Sequence, residues 1–241
     1  MRTLAIGDIH GCSRALDHLL AAARPRSNDV VITLGDYVDR GPDSAGVIER
    51  LIRLRETCKL VAIRGNHEQM MLDARKGPDR TVEWVHCGGE ATLTSYAPIG
   101  GRRTLDNVPA AHWDFLENVC VSMHETDTHF FVHANADPDL PLDDQPEFLL
   151  RWETFRDPPP HVSGKIMVCG HTPQKNGLPR NIGHALCIDT RAYRKGWLTC
   201  LEVATGYVWQ ANQDGELRAG WATDFLEEPA GAQAIRTVPT P

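Results

Sequence analysis

The 241-residue chain is 41% hydrophobic and 24% charged, enough apolar side chain to bury a full core in one large domain. Its formal net charge of −7 argues against a general nucleic-acid binder, which carries an excess of Lys and Arg on one face. Seven scattered cysteines without a CxxC pair signal neither a disulfide framework nor a thiolate zinc site, and no apolar N-terminal run is long enough for a signal peptide or membrane span.

In chain order, Thr3 to Ile6 is an apolar run closed by Gly7, and Asp29 to Leu34 is a second one closed by Gly35; both read as buried strands. Between them Ser13 can cap a helix whose apolar residues Ala15, Leu16, Leu19 and Leu20 follow helical spacing up to Arg24-Pro25. Pro42 stands where a first helical turn tolerates it, and Val47, Ile48, Leu51, Ile52 and Leu54 continue as a helical stripe. Leu60 to Ile63 is a third strand. This βαβαβ order predicts an α/β fold with a largely parallel sheet, and it sets the polar segment after each strand at one sheet edge, where open α/β folds bind ligands.

The stretch from Glu68 to about Asn118 reads as mainly helical and is expected to cap that edge. Beyond Val119 the pattern becomes mostly β: VCVSMHETDTHFFVHA holds two strand-like runs around a turn, and IMVCG, HALCIDT, WLTCLEV and GYVWQA follow as further strands. Asp157 to Pro160 marks an exposed loop. One domain over residues 1–228 is expected, with 229–241, rich in Pro, Ala and Thr, as a flexible tail.

Three polar segments follow the first three strands: GDIHG at Gly7 to Gly11, GDYVDRG at Gly35 to Gly41 and RGNHE at Arg64 to Glu68. Asp8, His10, Asp36 and Asn66 are hard or borderline ligands at strand ends. Asp8 and His10 can reach one centre if the chain bends at Gly11, and Asp36 on the adjacent strand is the natural bridge between two ions. His133 in FFVHAN and His171 in VCGHT follow apolar runs in the β-rich half and would complete a second site. Oxygen and nitrogen donors without thiolate point to two divalent ions, manganese first, with iron or zinc as alternatives.

GDIHG, GDYVDRG, RGNHE, VHA and GHT, in that order from about Thr3 to Leu201, resemble the phosphoprotein phosphatase (PPP) family of metallophosphoesterases. The short form, HAN at His133 and CIDT at Cys187 to Thr190 resemble its bacterial-type branch, including bacteriophage-like and Rhizobiales-like phosphatases. The resemblance implies a calcineurin-like fold, a central β-sandwich of mixed sheets flanked by helices. It implies one metal on Asp8, His10 and Asp36, the other on Asp36, Asn66, His133 and His171, and direct attack by a water between them. His67 would be the general acid, Asp39 its partner and Arg40 a phosphate clamp. Branch members usually add a tryptophan followed two residues later by a phosphate-binding arginine. Here LLRWETF puts Arg151 before Trp152, so either Arg151 takes the second clamp role by a local shift, or the role is missing or filled by another arginine.

The remaining histidines, His112 and His161 among them, read mostly as surface or cap residues, with His86 beside Gly88-Gly89 as the one with a claim to the substrate side. The tryptophans read as packing, and Asp189 either ties down a loop near the site or begins a turn. The function expected is a cytoplasmic, metal-dependent protein phosphatase acting on phosphoserine or phosphothreonine and, in this branch, phosphotyrosine. Its partner is a phosphorylated protein or peptide; no nucleic-acid or membrane partner is expected. The alternative is a symmetrical dinucleoside polyphosphate hydrolase on the same centre. A catalytically silent phosphoprotein binder would lack a core residue, and here all are present.

Overall fold

Alternating side chains decide the layers. In the computed structural model, which describes residues 1–225, β1 (Thr3–Ile6), α1 (Ser13–Ala23), β2 (Val30–Thr33), α2 (Ser44–Thr57) and β3 (Lys59–Ala62) form the expected βαβαβ unit. The three strands pair in parallel. α1 buries Ala15, Leu16 and Leu19 and stops at Arg24, whose left-handed backbone turns its N–H onto the Leu20 carbonyl. Two helix starts differ from expectation. Cys12 precedes the first turn of α1 and no side chain caps it, Ser13 being already helical and buried. In α2 the cap is Asp43, whose carboxylate accepts the Gly46 N–H, so Pro42 lies ahead of the helix.

The middle segment is helical, as its composition suggests: α3 (Asn66–Ala74), α4 (Pro78–Trp84), α5 (Glu90–Tyr96) and α6 (Ala110–Asp114). α4 and α5 meet through Val85–Gly89, where Gly88 adopts φ 118° and breaks the helical path. Only glycine takes that angle without strain.

The rest contributes β4 (Met123–Glu125), β5 (His129–Val132), α7 (Glu147–Trp152), β6 (Ile166–Cys169), β7 (Arg180–Asn181), β8 (Ala185–Cys187), β9 (Leu198–Glu202), β10 (Tyr207–Ala211) and β11 (Leu217–Trp221). α7, β7 and β11 were not foreseen: the first two are short, and LRAGW in β11 carries a glycine that weakens a strand pattern. The segment 229–241, expected as a tail, lies outside the described residues.

Two mixed sheets result, ordered β11-β10-β9-β1-β2-β3 and β4-β5-β6-β8-β7. The first is parallel only across β1, β2 and β3, because β9 joins β1 antiparallel and continues into two hairpin-linked strands. In the second, β5, β6 and β8 are parallel while β4 and β7 flank them antiparallel.

Leu4 and Ile6 face the helices while Ala5 faces the other sheet; Phe130 and Val132 face outward while Phe131 faces inward. The inter-sheet core thus draws Ala5, Ile32, Phe131, Val168, Leu186 and Leu201 from both sheets. Complete burial of a side chain such as Phe131 is worth about 1.5–3 kcal/mol over leaving it exposed. Among the described residues no helix is long and apolar enough to cross a membrane. All seven cysteines are free, and all but Cys87 are buried.

Candidate active site

The parallel strands of both sheets end toward one place. Asp8 follows β1, Asp36 follows β2, Asn66 opens α3 after β3, His133 follows β5 directly, His171 follows β6 and Asp189 follows β8. Five residues of these turns, His10, Asp36, Asp39, Arg40 and His171, have positive φ without being glycine. Such backbones cost about 1–3 kcal/mol each and persist only where surroundings enforce them, commonly at working sites.

Asp36 is the hub. With His10 and His67 it forms one cluster of donor atoms within 4.8 Å of one another, and with His133 and His171 it forms a second. Asn66 Oδ1 lies 2.9 Å from His133 Nε2 and 3.2 Å from His171 Nδ1. The Asp8 carboxylate accepts the His171 N–H at 3.1 Å, so the first motif and the last are joined directly. Gly170 permits this approach, because a Cβ there would lie 2.0 Å from Asp8 Oδ1.

Three imidazoles are set alike. Nδ1 of His10 donates to the Val38 carbonyl at 2.8 Å, Nδ1 of His133 to the Leu34 carbonyl at 2.8 Å, and Nε2 of His171 to the Trp152 carbonyl at 3.1 Å. Each ring thereby keeps its other nitrogen, unprotonated, toward Asp36 or Asn66, the arrangement in which a histidine ligates a metal. Burial pushes His10 well below the usual histidine range, His133 down to about 4, and His171 down as well. All three are neutral rings near pH 7.

His67 is different. Burial alone would lower its pKa, but Asp36 and Asp39 outweigh burial and hold it above the usual range. Its Nδ1 donates to Asp39 Oδ2 at 2.7 Å. Asp39 is itself fully buried and accepts from Trp84 Nε1 at 2.8 Å and Thr92 Oγ1 at 2.7 Å. The result is one ring whose protonated form is favoured among rings whose neutral form is favoured, anchored by a carboxylate that three donors satisfy.

The carboxylates divide as well. Burial opposes ionisation of Asp36, yet the imidazoles of His133, His67 and His10 around it hold its carboxyl below the usual range. Burial, with Asp189 and Asp36 close by, pushes Asp8 well above it, and burial lifts Asp189 to about 7. Asp189 Oδ1 accepts the Arg191 N–H at 2.9 Å while Oδ2 is buried and, among the described residues, has no partner. Three buried carboxylates, one with an oxygen unpartnered among the described residues, and three rings with an unprotonated nitrogen turned inward are a donor set that divalent cations fit, and nothing in it is soft.

Arg40 stands at the rim, exposed, with Nη1 2.8 Å from His10 Nε2 and its guanidinium over the Tyr193 ring. Metal ligation through His10 Nε2 requires that guanidinium to turn away. Arg151 is not brought to the cluster: its guanidinium pairs with Glu147 on its own helix and donates to Ser122 Oγ.

Sequence reasoning missed three residues. Glu68, inside RGNHE, accepts the backbone N–H groups of Asp36, Tyr37 and Gly65 at 2.7–2.8 Å and fixes the Asp36 turn. Trp84, expected as packing, and Thr92 both hold Asp39. Their only signal was their position on either side of Gly88-Gly89, where Gly88 accepts the Arg40 N–H. His86 is exposed; His112 is a buried residue of the helical cap bonded to Tyr96, and His161, bonded to Ser163, is buried rather than on the surface.

The family model for calcineurin-like phosphoesterases matches residues 1–196. Serine/threonine-protein phosphatase 1 of Salmonella typhimurium is 45% identical over 86 residues, 35% of this chain and 38% of that protein. A symmetrical bis(5'-nucleosyl)-tetraphosphatase of Ralstonia nicotianae is 41% identical over 141 residues, 56% of this chain and 42% of its own length. The matches thus span less than half of either curated relative. A solved structure described as a candidate diadenosine tetraphosphatase superposes with a TM-score of 0.64 at 22% identity, covering 91% of this chain and 94% of the other. At that identity the likeness speaks for the fold.

Proposed function

The chain belongs to the calcineurin-like phosphoesterase family, and on that premise we propose that it is a metal-dependent phosphatase hydrolysing phosphomonoesters of phosphorylated protein. The observation that carries the reading is the shared setting of His10, His133 and His171, each with one ring nitrogen spent on a backbone carbonyl and the other turned to Asp36 or Asn66. Asp8, His10 and Asp36 would hold one ion, and Asp36, Asn66, His133 and His171 the other, with manganese the first choice. When bound, the ions supply Lewis-acid polarisation of the phosphoryl group and a hydroxide nucleophile near neutral pH.

The other steps belong to side chains. His67, whose protonated form the Asp39 carboxylate favours, gives its Nε2 proton to the departing oxygen. Asp39 keeps the ring in place through the opposite nitrogen. Arg40 offers a planar fork to two phosphoryl oxygens.

A second reading is favoured by the Ralstonia relative: cleavage of a symmetrical dinucleoside tetraphosphate on the same centre. After chelation and reloading with Mn²⁺, rates are compared on phosphoserine and phosphothreonine peptides, a phosphotyrosine peptide and a dinucleoside tetraphosphate. Faster turnover of the peptides supports the proposal. A dominant rate on the dinucleotide overturns it.

A further inference from the structure

Between β8 and β9 the chain makes a closed loop. Asp189 Oδ1 accepts the Arg191 N–H at 2.9 Å, the Trp197 N–H donates to the Thr190 carbonyl at 3.0 Å and the Arg194 N–H to the Arg191 carbonyl at 3.1 Å. Arg191 and Lys195 bracket the turn with φ of 65° and 58°, left-handed angles that an arginine and a lysine rarely adopt. Buried Ala192 anchors the turn. The shape is enforced, and its effect is to set Tyr193 beside the metal-ligand cluster.

The Tyr193 ring meets His10 edge-on at 4.9 Å between centroids. It also carries two guanidinium groups, with Arg40 Cζ at 4.9 Å and Arg194 Cζ at 5.9 Å from its centroid. A guanidinium near an aromatic ring is attracted to the ring without spending N–H donors on it, which leaves those donors for an anion. Arg194 is exposed and, among the described residues, its side chain has no hydrogen bond or ion pair. In a chain of net charge −7, a phosphate needs such local cations. Arg151, by contrast, has its Nη2 donor committed to Glu147 and Ser122, while its Nε is buried and unpartnered among the described residues.

We infer that Arg194, beside the Tyr193 ring, joins Arg40 in binding the substrate phosphate once the Arg40 guanidinium has turned from His10 Nε2, with Arg194 in the role that Arg151 does not reach. Tyr193 is a positioning residue; the arginines make the contact. The inference rests on the phosphatase reading for its substrate, though its binding test does not require turnover.

The probe is inorganic phosphate, measured by calorimetry on the Mn²⁺-loaded protein and as a competitive inhibitor of aryl phosphate hydrolysis. Arg194→Gln and Tyr193→Leu are each expected to weaken phosphate binding about tenfold and raise KM in parallel, with kcat changed less than about threefold. Tyr193→Phe, which keeps the ring, restores both. Mn²⁺ affinity is titrated alongside, so that damage passing through His10 is recognised. A loss of phosphate affinity below threefold in Arg194→Gln overturns the clamp, whatever Arg151→Gln does. If the wild type binds phosphate but hydrolyses no substrate, the phosphatase reading falls and the calorimetry still decides the clamp. A wild type that does not bind phosphate overturns both.

Discussion

Before Asn118, Asp36, Asp39 and His10 are held by partners from the same half of the chain, whereas Asp8 and Asn66 meet His133 and His171 from the second half. Glu68 fixes the Asp36 turn, Trp84 and Thr92 fix Asp39, and the Val38 carbonyl fixes His10. His133 instead leans on the Leu34 carbonyl and His171 on Asp8, while the His171–Trp152 and Asp189–Arg191 contacts lie within the second half. The first half is therefore a self-supporting polar scaffold, and the second half supplies donors that come into register only when the two sheets pack. Damage in the first half should reach chemistry and stability together, while damage in the second should appear first as weakened metal binding.

The severest break of that scaffold is Asp36→Ala, which removes the carboxylate common to both donor clusters. We expect hydrolysis at background level and loss of both tight Mn²⁺ binding events, read by calorimetry. Retention of two tight sites would sink the assignment of Asp36 as the bridge.

His67→Asn should follow, with kcat on alkyl phosphates falling by roughly 10²–10⁴ and aryl phosphates suffering less, since an acidic leaving group needs little protonation. Equal losses on the two would argue against an acid role. The pH dependence has a definite sign. The working form is protonated, and its pKa is held above the usual 6.5, so kcat on alkyl phosphates is expected to decline as pH rises through that raised value. Asp39→Asn removes a partner that stabilises the imidazolium and should move the decline to lower pH.

Trp84→Phe is a sharper probe, because it takes from Asp39 a donor that is not His67. A carboxylate with fewer donors binds its remaining proton partner more strongly, so the alkaline limb should move to higher pH, opposite to Asp39→Asn. The buried acceptor deprived of a partner should also cost about 1–3 kcal/mol of stability, measured by urea unfolding. A shift in the same direction as Asp39→Asn would disprove that account of the network.

The smallest effect is expected far from the site. Asp29 accepts from Arg2 and Arg26, and Arg2 also reaches the carbonyls that end α1. Burial works against ionisation of Asp29, but these donors hold its carboxyl down at about 2, below the ordinary 3.8. Its contribution to stability is therefore complete above pH 3.8 and lost as pH falls through about 2. Thermal unfolding of Asp29→Asn should fall below wild type at neutral pH and converge with it near pH 2. A gap that persists at low pH would refute the linkage.

Much of this was legible beforehand because it is local. Short apolar runs, helical stripes and a polar motif directly after each strand made the βαβαβ unit and the residues Asp8, His10, Asp36 and Asn66 readable from spacing, while the role of His67 came from the family resemblance. His133 and His171 were readable too, since each ends an apolar run. Ser13 and Pro42 were misjudged by a residue or two, because several neighbouring residues could open each helix and packing chooses among them. Glu68 was hidden inside a motif already given other roles. Trp84 was hidden because a buried tryptophan looks the same in a sequence whether or not its N–H has a partner.

By itself, then, the amino-acid sequence determined which groups the site would contain and at which strand ends they would stand, since backbone periodicity and strand termination are decided over a few residues. Only the tertiary structure decided which ring nitrogen each histidine turns inward, which carboxylate is ionised, that Arg151 is engaged elsewhere and that Arg194 shares a ring with Arg40. Those outcomes depend on burial and on partners far apart in the chain, such as His171 and Asp8 or Tyr193 and His10, and no local pattern encodes a contact made between two sheets.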